Sequence, residues 1–171
     1  ALKNIVAKIG ENIVIRRLEY IEATENNYSF GCYIHNKVDE NIGKIGCIVL
    51  ATTNGIQQTN DELAKKIAMH IAASKPLSIN ESQLNQSLID KEREIFKEQL
   101  KESGKPENIL EKIIEGKVNK YLSEVTLLNQ AWIMEPGKKV KSIIEDFNKA
   151  NNENFKVKDF ALFVLGEGVA V

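Results

Sequence analysis

The side chains best suited to metal chemistry in this sequence of 171 residues are two cysteines and two histidines: Cys32, His35, Cys47 and His70. Zinc would need these thiolate and imidazole ligands to converge on one point. Because Cys32 and His35 are an odd number of positions apart, a regular strand would place them on opposite faces. We therefore expect no metal site, and we interpret both cysteines as small apolar side chains of the core, in a reducing compartment.

The motifs that usually indicate covalent catalysis or phosphate binding are absent from the sequence. There is no G-x-S-x-G, C-x-x-C or H-E-x-x-H. The glycine pairs at 43 and 46 and at 166 and 168 lack the following Lys-Ser/Thr or helix that a phosphate loop requires. The carboxylates lie in mixed charged runs rather than in the apolar pockets that acid–base catalysis uses. We expect neither an enzyme nor a cofactor, and an enzyme with an unrecognised site is the least favoured hypothesis.

The composition indicates one compact domain, or a core with a small appendage, because 43% of the residues are hydrophobic and 27% are charged. No apolar run approaches the roughly 20 residues of a membrane helix. The net charge of −1 argues against a strongly basic nucleic-acid surface, and the scattered aromatic residues provide no platform for base stacking. We therefore expect no membrane contact and no direct nucleic-acid binding.

The first part of the chain predicts a short helix followed by three strands. Apolar residues at 2, 5, 6 and 9 form a helical stripe, which Gly10 ends. Residues 13–22 are rich in β-branched and aromatic side chains, 28–34 alternate between two faces, and 45–51 form an almost continuous apolar run. Three strands with short connections predict an antiparallel meander.

The segment 61–74 predicts an amphipathic helix with apolar side chains at 63, 67 and 71. On a helical wheel, His70 lies at the rim of this apolar face and should be half-buried, whereas Met69 lies off the face and should be exposed. A rim histidine beside an exposed methionine indicates a partner surface. The other interpretation is structural, with the His70 ring simply filling the rim of the core.

Residues 84–122 have the strongest helical pattern and predict two antiparallel helices, over 84–102 and 106–122. Gly104 would lie at the tip, because glycine ends helices and the proline that follows can start one. The outer faces carry many lysine and glutamate side chains and should be solvated. Four apolar residues should face one another between the helices: Ile95, Leu100, Ile109 and Ile113.

The last part of the chain predicts a helix over 138–149 and an apolar closing strand over 155–165. These elements together predict an α+β fold, with an antiparallel sheet, helices packed on one face and a projecting antiparallel helical hairpin. The hairpin over 84–122 would be an insertion that divides the core into a first part, 1–83, and a last part, 123–171.

Four segments of the sequence resemble bacterial translation elongation factor Ts, in that family's order: AKIGENIVIRR at 7–17, KKIAMHIAASKPL at 65–77, SGKPENILEKIIEGKVNKYLSEVTLLNQAWI at 103–133 and FALFVLGEG at 160–168. The resemblance implies a cytoplasmic guanine-nucleotide exchange factor that binds the GTPase elongation factor Tu and promotes GDP release without covalent chemistry. It also implies self-association in this region, so a homodimer is expected as a further partner state.

The resemblance also implies roles for single residues. The phrase AMHIAAS matches the family at its partner-contacting histidine, which is His70 here, and Met69 and Ala73 belong to the same phrase. Gly10 matches a turn typical of the family. We therefore expect partner contacts at His70, Met69, Ala73 and Gly10.

Two differences from the family's full-length pattern indicate a fragment. The family has an N-terminal module and a Thr-Asp-Phe motif whose phenylalanine enters the GTPase near its magnesium site. That motif does not occur here, and Asp159-Phe160 lies in the predicted closing strand. The family's chain also continues into a C-terminal helical module. We expect a fragment of the exchange factor, and the alternative is a passive dimerisation or scaffolding domain that functions only within the full-length factor.

Overall fold

The computed structural model of the chain describes residues 1–24, 26–55, 57–101 and 106–168. The helices in these ranges are α1 (Leu2–Ile9), α2 (Gln57–Ser74), α3 (Gln86–Leu100), α4 (Glu107–Val125) and α5 (Val140–Asn151). The strands are β1 (Tyr28–Asp39), β2 (Ile42–Thr52), β3 (Ala131–Trp132), β4 (Glu135–Lys139) and β5 (Lys156–Val164). The predicted α+β class is confirmed, since an antiparallel three-stranded sheet carries packed helices.

The main sheet has the strand order β1-β2-β5, and both neighbouring pairs are antiparallel. β1 and β2 form a hairpin from two of the predicted strands, and the far end of the chain returns to place β5 beside β2. Cys47 lies opposite both Tyr33 and Leu162 on the inner face of the sheet and is buried. The predicted core position is wrong for Cys32, which is exposed on the outer face, because Cys32 and Cys47 lie on opposite sides of the sheet and only the inner side is covered by α2.

The strand predicted over 13–22 is wrong, because this segment contains neither helix nor strand. Its apolar side chains remain largely in solvent: Val14, Leu18 and Tyr20 are 67%, 83% and 78% exposed. A β-rich composition forms a strand only where a neighbouring edge accepts its backbone hydrogen bonds. The third place in the sheet, beside β2, is taken by β5 instead.

α2 packs across β1 and β2 on the inner face of the sheet and supplies a large part of the core. Its buried apolar side chains are Leu63, Ala64, Ile67, Ala68, Ile71 and Ala72. The approach is close at Gly31 of β1, where a Cβ atom would overlap the backbone of Ala64. The absence of a side chain at Gly31 therefore allows the helix backbone to lie directly against the strand.

α3 and α4 form the predicted antiparallel helical hairpin. Arg93 of α3 and Glu115 of α4 form an ion pair at 2.6 Å, and Lys117 Nζ lies 5.1 Å from the centre of the Phe96 ring. No residue of α3 is buried, so this helix projects from the core and packs chiefly against α4. The predicted tip of the hairpin, Gly104, lies outside the described residues.

The apolar residues predicted to lie between α3 and α4 are covered unequally. Leu100 and Ile113 are half-buried, whereas Ile95 and Ile109 are 47% and 44% exposed. In a hairpin of two helices each apolar stripe has only one neighbour to cover it, so part of the stripe stays in solvent. The mutual contact of the four residues, and the division of the core into two parts by the hairpin, stay predictions.

Candidate functional site around His70

The candidate site lies where the C-terminal half of α2 meets the chain that follows α4. His70 is fully buried, with 0% exposure, so the predicted half-buried position at the rim is wrong. The helical wheel describes α2 alone, whereas residues 130–133 fold over the histidine and cover it. Burial of a polar ring requires hydrogen-bond partners for both nitrogens, and these come from the covering residues.

The side chain of Gln130 fixes which nitrogen of His70 carries the proton. Its amide nitrogen donates to the backbone oxygens of Ser74, at 3.3 Å, and Glu124, at 2.6 Å. The amide oxygen must then accept, and it lies 2.9 Å from His70 Nε2, which is therefore the donor. The other ring nitrogen, Nδ1, accepts from the backbone N–H of Ile133 at 3.4 Å. The network selects the neutral Nε2–H tautomer.

The ring of His70 also supports an exposed apolar turn. Trp132 stacks on the imidazole with ring centroids 5.2 Å apart and planes inclined by 22°. β3 and β4 pair in antiparallel fashion on either side of Ile133 and Met134, which we call the 133–134 turn. Ile133 is 38% exposed and Met134 is 46% exposed. Buried aromatic groups thus hold two apolar side chains at the surface.

Burial lowers the pKa of His70 below the ordinary value for histidine, and the hydrogen bond to Gln130 partly opposes this shift. A second proton on Nδ1 would face the N–H of Ile133 and would find no acceptor there. The ring is therefore a neutral structural group at physiological pH. With no carboxylate or thiolate among its described contacts, the arrangement does not form a nucleophile–base pair.

The stability of the protein should fall as the pH is lowered from 6.5 to 5. The unfolded chain protonates its histidine near pH 6.5, whereas folded His70 resists protonation. This contribution is therefore fully present above pH 6.5 and is lost below it, with a slope of at most about 1.4 kcal/mol per pH unit. Thermal melts between pH 5 and 7.5 would measure the loss. In a His70→Gln variant the slope in this window should be shallower, and an unchanged slope would assign the pH dependence to other groups.

The structure distributes the other predicted contact residues over two places. Met69 is half-buried rather than exposed, because it lies between the core and surface sides of α2, and Ala73 is exposed on the last turn of that helix. Gly10 ends α1 with a φ of 79°, in the left-handed region, and no atom lies near the position of a Cβ. None of the described contacts of His70 comes from α1 or Gly10.

Sequence reasoning missed the two residues that hold His70, Gln130 and Trp132. Gln130 is 5% exposed and joins the ends of α2 and α4 through three hydrogen bonds of its side chain. The available signal was a polar side chain followed closely by the only tryptophan in an otherwise apolar segment. That pattern indicates burial, but it does not say which buried group the amide would meet.

The cysteines and the second histidine form no reactive centre in the described part of the chain. No group of three or more potential metal ligands occurs there. His35 is exposed and its Nδ1 lies 2.9 Å from the Tyr33 hydroxyl. Burial, and to a lesser degree the nearby Cys32, raises the pKa of the Cys47 thiol to about 12, so this thiol stays protonated. Among the described helices, none has both the length and the apolar character of a membrane span.

Comparison with known proteins gives one consistent result. The family model described as Elongation factor TS matches residues 1–167. Elongation factor Ts of Rickettsia felis is 41% identical over 165 residues, which are 96% of this chain and 53% of the relative. Elongation factor Ts of Bartonella bacilliformis is 39% identical over 169 residues, which are 99% of this chain and 54% of the relative. The chain spans about half the length of the curated relatives it matches.

Proposed function

Because this chain belongs to the elongation factor Ts family, we propose that it binds the GTPase elongation factor Tu and promotes release of GDP. The match of the family model over residues 1–167 is the observation that carries the proposal. The family is one of translation elongation factors, and the proposed activity is exchange by protein binding in the cytoplasm. It uses no covalent step and no cofactor of its own.

The proposed activity follows from differential binding. A protein that binds the nucleotide-free GTPase more tightly than the GDP-bound form shifts the population toward the nucleotide-free state. The coupling is reciprocal. GDP must weaken the binding of this protein to the GTPase by the same factor by which this protein weakens the binding of GDP. Binding of this kind needs a rigid surface rather than a reactive group. A buried neutral His70, held by the Gln130 amide, suits that role because it fixes the exposed turn above it.

We place the partner contact on the 133–134 turn. Its two apolar side chains are exposed at the surface directly over the buried His70–Trp132 pair. In this proposal His70 acts on the partner indirectly, by holding the turn, and Met69 and Ala73 of α2 are proposed as further contacts. Gly10, at the end of α1, is proposed as a separate contact.

A Met134→Asp substitution should weaken binding to nucleotide-free elongation factor Tu by at least tenfold. A carboxylate at the centre of an apolar contact would be buried without a partner, and truncation or disruption of such a contact costs about 2 kcal/mol or more. The side chain is 46% exposed in the free protein, so the fold should tolerate the change. Calorimetric titration of the variant and of a Met134→Leu control would measure the effect, with excess GDP added to test the coupling.

Equal affinity of the Met134→Asp and Met134→Leu variants would move the contact away from the turn. A complex that GDP does not weaken would contradict the exchange function itself.

The alternative, a passive dimerisation or scaffolding domain, is favoured by the partly exposed apolar side chains of the helical hairpin, Leu88, Ile95 and Ile109. It would replace the proposal if no complex formed at micromolar concentration while the chain itself sedimented as a dimer.

A further inference from the structure

A second surface feature, built from residues far from His70 in the sequence, is a cleft of about 690 Å³. It lies at the end of the main sheet that carries the turn between β1 and β2. Three parts of the chain line it: the irregular segment after α1, the β1–β2 hairpin with the first residues of β2, and the end of β5 with the chain that follows it. We call it the basic cleft, for the cations Arg16, Arg17 and Lys44 in its walls. The proposed function makes no use of these residues.

The floor of the basic cleft includes a position without a side chain, Gly46. On the outer face of the sheet, Gly46 of β2 lies between Ile34 of β1 and Phe163 of β5. No atom lies within 4 Å of the position that a Cβ of Gly46 would occupy. The floor therefore has a depression at Gly46, with an apolar side chain on either side of it.

One wall of the basic cleft is fixed by a contact between distant parts of the chain. The Arg17 guanidinium forms an ion pair with Glu167 at 2.9 Å and lies 4.5 Å from the centre of the Phe163 ring. These residues belong to two of the four segments that resemble the family, IVIRR and FALFVLGEG. Glu167 therefore compensates the charge of Arg17, but it pairs with neither Arg16 nor Lys44.

Arg16 and Lys44 are the cations available to a ligand. Both are exposed, and no acidic side chain among the described residues lies within ion-pair distance of either. Two uncompensated positive charges at the rim of an apolar depression attract a group that combines negative charge with an apolar part. The lining of the cleft holds three cations against one carboxylate, that of Glu167, whereas the chain as a whole has a net charge of −1.

We infer that the basic cleft binds an acidic peptide segment, with an apolar side chain in the depression at Gly46 and flanking carboxylates at Arg16 and Lys44. A nucleic acid fits less well, because the face of the Phe163 ring is occupied by Arg17 and offers no surface for base stacking. The inference goes beyond exchange on the GTPase, since it concerns a different surface and a different class of ligand.

The test uses a fluorescein-labelled octapeptide of glutamate and leucine residues, titrated with the 171-residue protein at low ionic strength. Fluorescence anisotropy should give a dissociation constant in the micromolar range. Each exposed ion pair contributes a factor of about three, so the Arg16→Ala/Lys44→Ala variant should bind roughly tenfold more weakly. A Gly46→Leu variant, which fills the depression and keeps every charge, should weaken binding to a similar degree. Raising the salt to about 0.5 M should also weaken it.

The matched control is Lys112→Ala/Lys149→Ala, which removes the same charge from exposed lysines of α4 and α5 and should bind within twofold of the parent protein. The inference fails if the Arg16→Ala/Lys44→Ala variant also binds within twofold, or if a lysine–leucine peptide binds as well as the acidic one. Tighter binding of octauridylate than of the acidic peptide would replace it with a nucleic-acid surface. Because the assay contains no elongation factor Tu, its failure would leave the proposed exchange function intact.

Discussion

Replacing Gly31 with alanine is expected to lower the free energy of unfolding by on the order of 3 kcal/mol. The new Cβ atom would overlap the carbonyl group of Ala64, which belongs to the backbone of α2 and cannot rotate away as a side chain would. The helix must lift from β1, which would open the packing around Ile67 and Val49, both fully buried. For a chain of this length, such a loss lowers the Tm by roughly 6–12 °C.

The control for this experiment is Gly46→Ala, in the neighbouring strand of the same sheet. No atom lies within 4 Å of the Cβ position at Gly46, so alanine there adds a methyl group to open space. We expect a change within about 0.5 kcal/mol, measured by denaturant unfolding of both variants. Equal losses at the two glycines would mean that general strand preferences, rather than the contact with α2, govern the effect.

The second large effect is expected from His70→Ala, which should destabilise the fold by about 3 kcal/mol. The substitution leaves a cavity beneath Trp132 and removes the hydrogen-bond partners of the Gln130 oxygen and the Ile133 amide. Cavity formation and an unsatisfied buried polar group each cost about 1–3 kcal/mol. Urea unfolding would measure the sum, and near-ultraviolet circular dichroism of the single tryptophan would report the lost stacking.

Two further variants separate packing from partner contact at His70. Met69→Ala, the half-buried neighbour on α2, should cost less than about 1 kcal/mol and leave the tryptophan signal unchanged. In a double-mutant cycle with Gln130→Ala, the coupling to His70 should be about 1–2 kcal/mol. If His70→Ala leaves stability intact and yet weakens binding to elongation factor Tu, the ring itself touches the partner and the indirect role is wrong.

The elements with a strong local pattern could be predicted from the sequence. The alternation in 28–34 predicts β1, and the apolar stripes on either side of the break near residue 104 predict the two helices of the hairpin. The segment 13–22 has an equally strong β composition but forms no strand. Composition reports how well one segment suits an extended conformation. A strand also needs the unpaired edge of a neighbouring strand, and the sequence does not show which strand edges stay unpaired.

The site could be predicted only in part, for a similar reason. The resemblance singled out His70, but its burial depends on residues 130–133, which lie on the other side of the helical hairpin in the sequence. The role of Gln130 becomes clear only in the folded structure. There the backbone oxygens of Ser74 and Glu124 accept from its amide nitrogen, which leaves its amide oxygen to accept from His70. Contacts between such distant segments are set by the tertiary fold and leave no periodic signal in the chain.

The strand order of the main sheet has a consequence for the chain while it is being made. β2 receives one neighbour from β1 at once, but its other neighbour is β5, where Val164 pairs with Ile45. At about 5–20 residues per second, the ribosome releases both helices of the hairpin before it completes β5. The nascent protein therefore carries an open, apolar edge at β2 for several seconds, and such an edge can template pairing between chains. Closure of the sheet is a late step of high contact order, whereas α3 and α4 can associate as soon as they emerge.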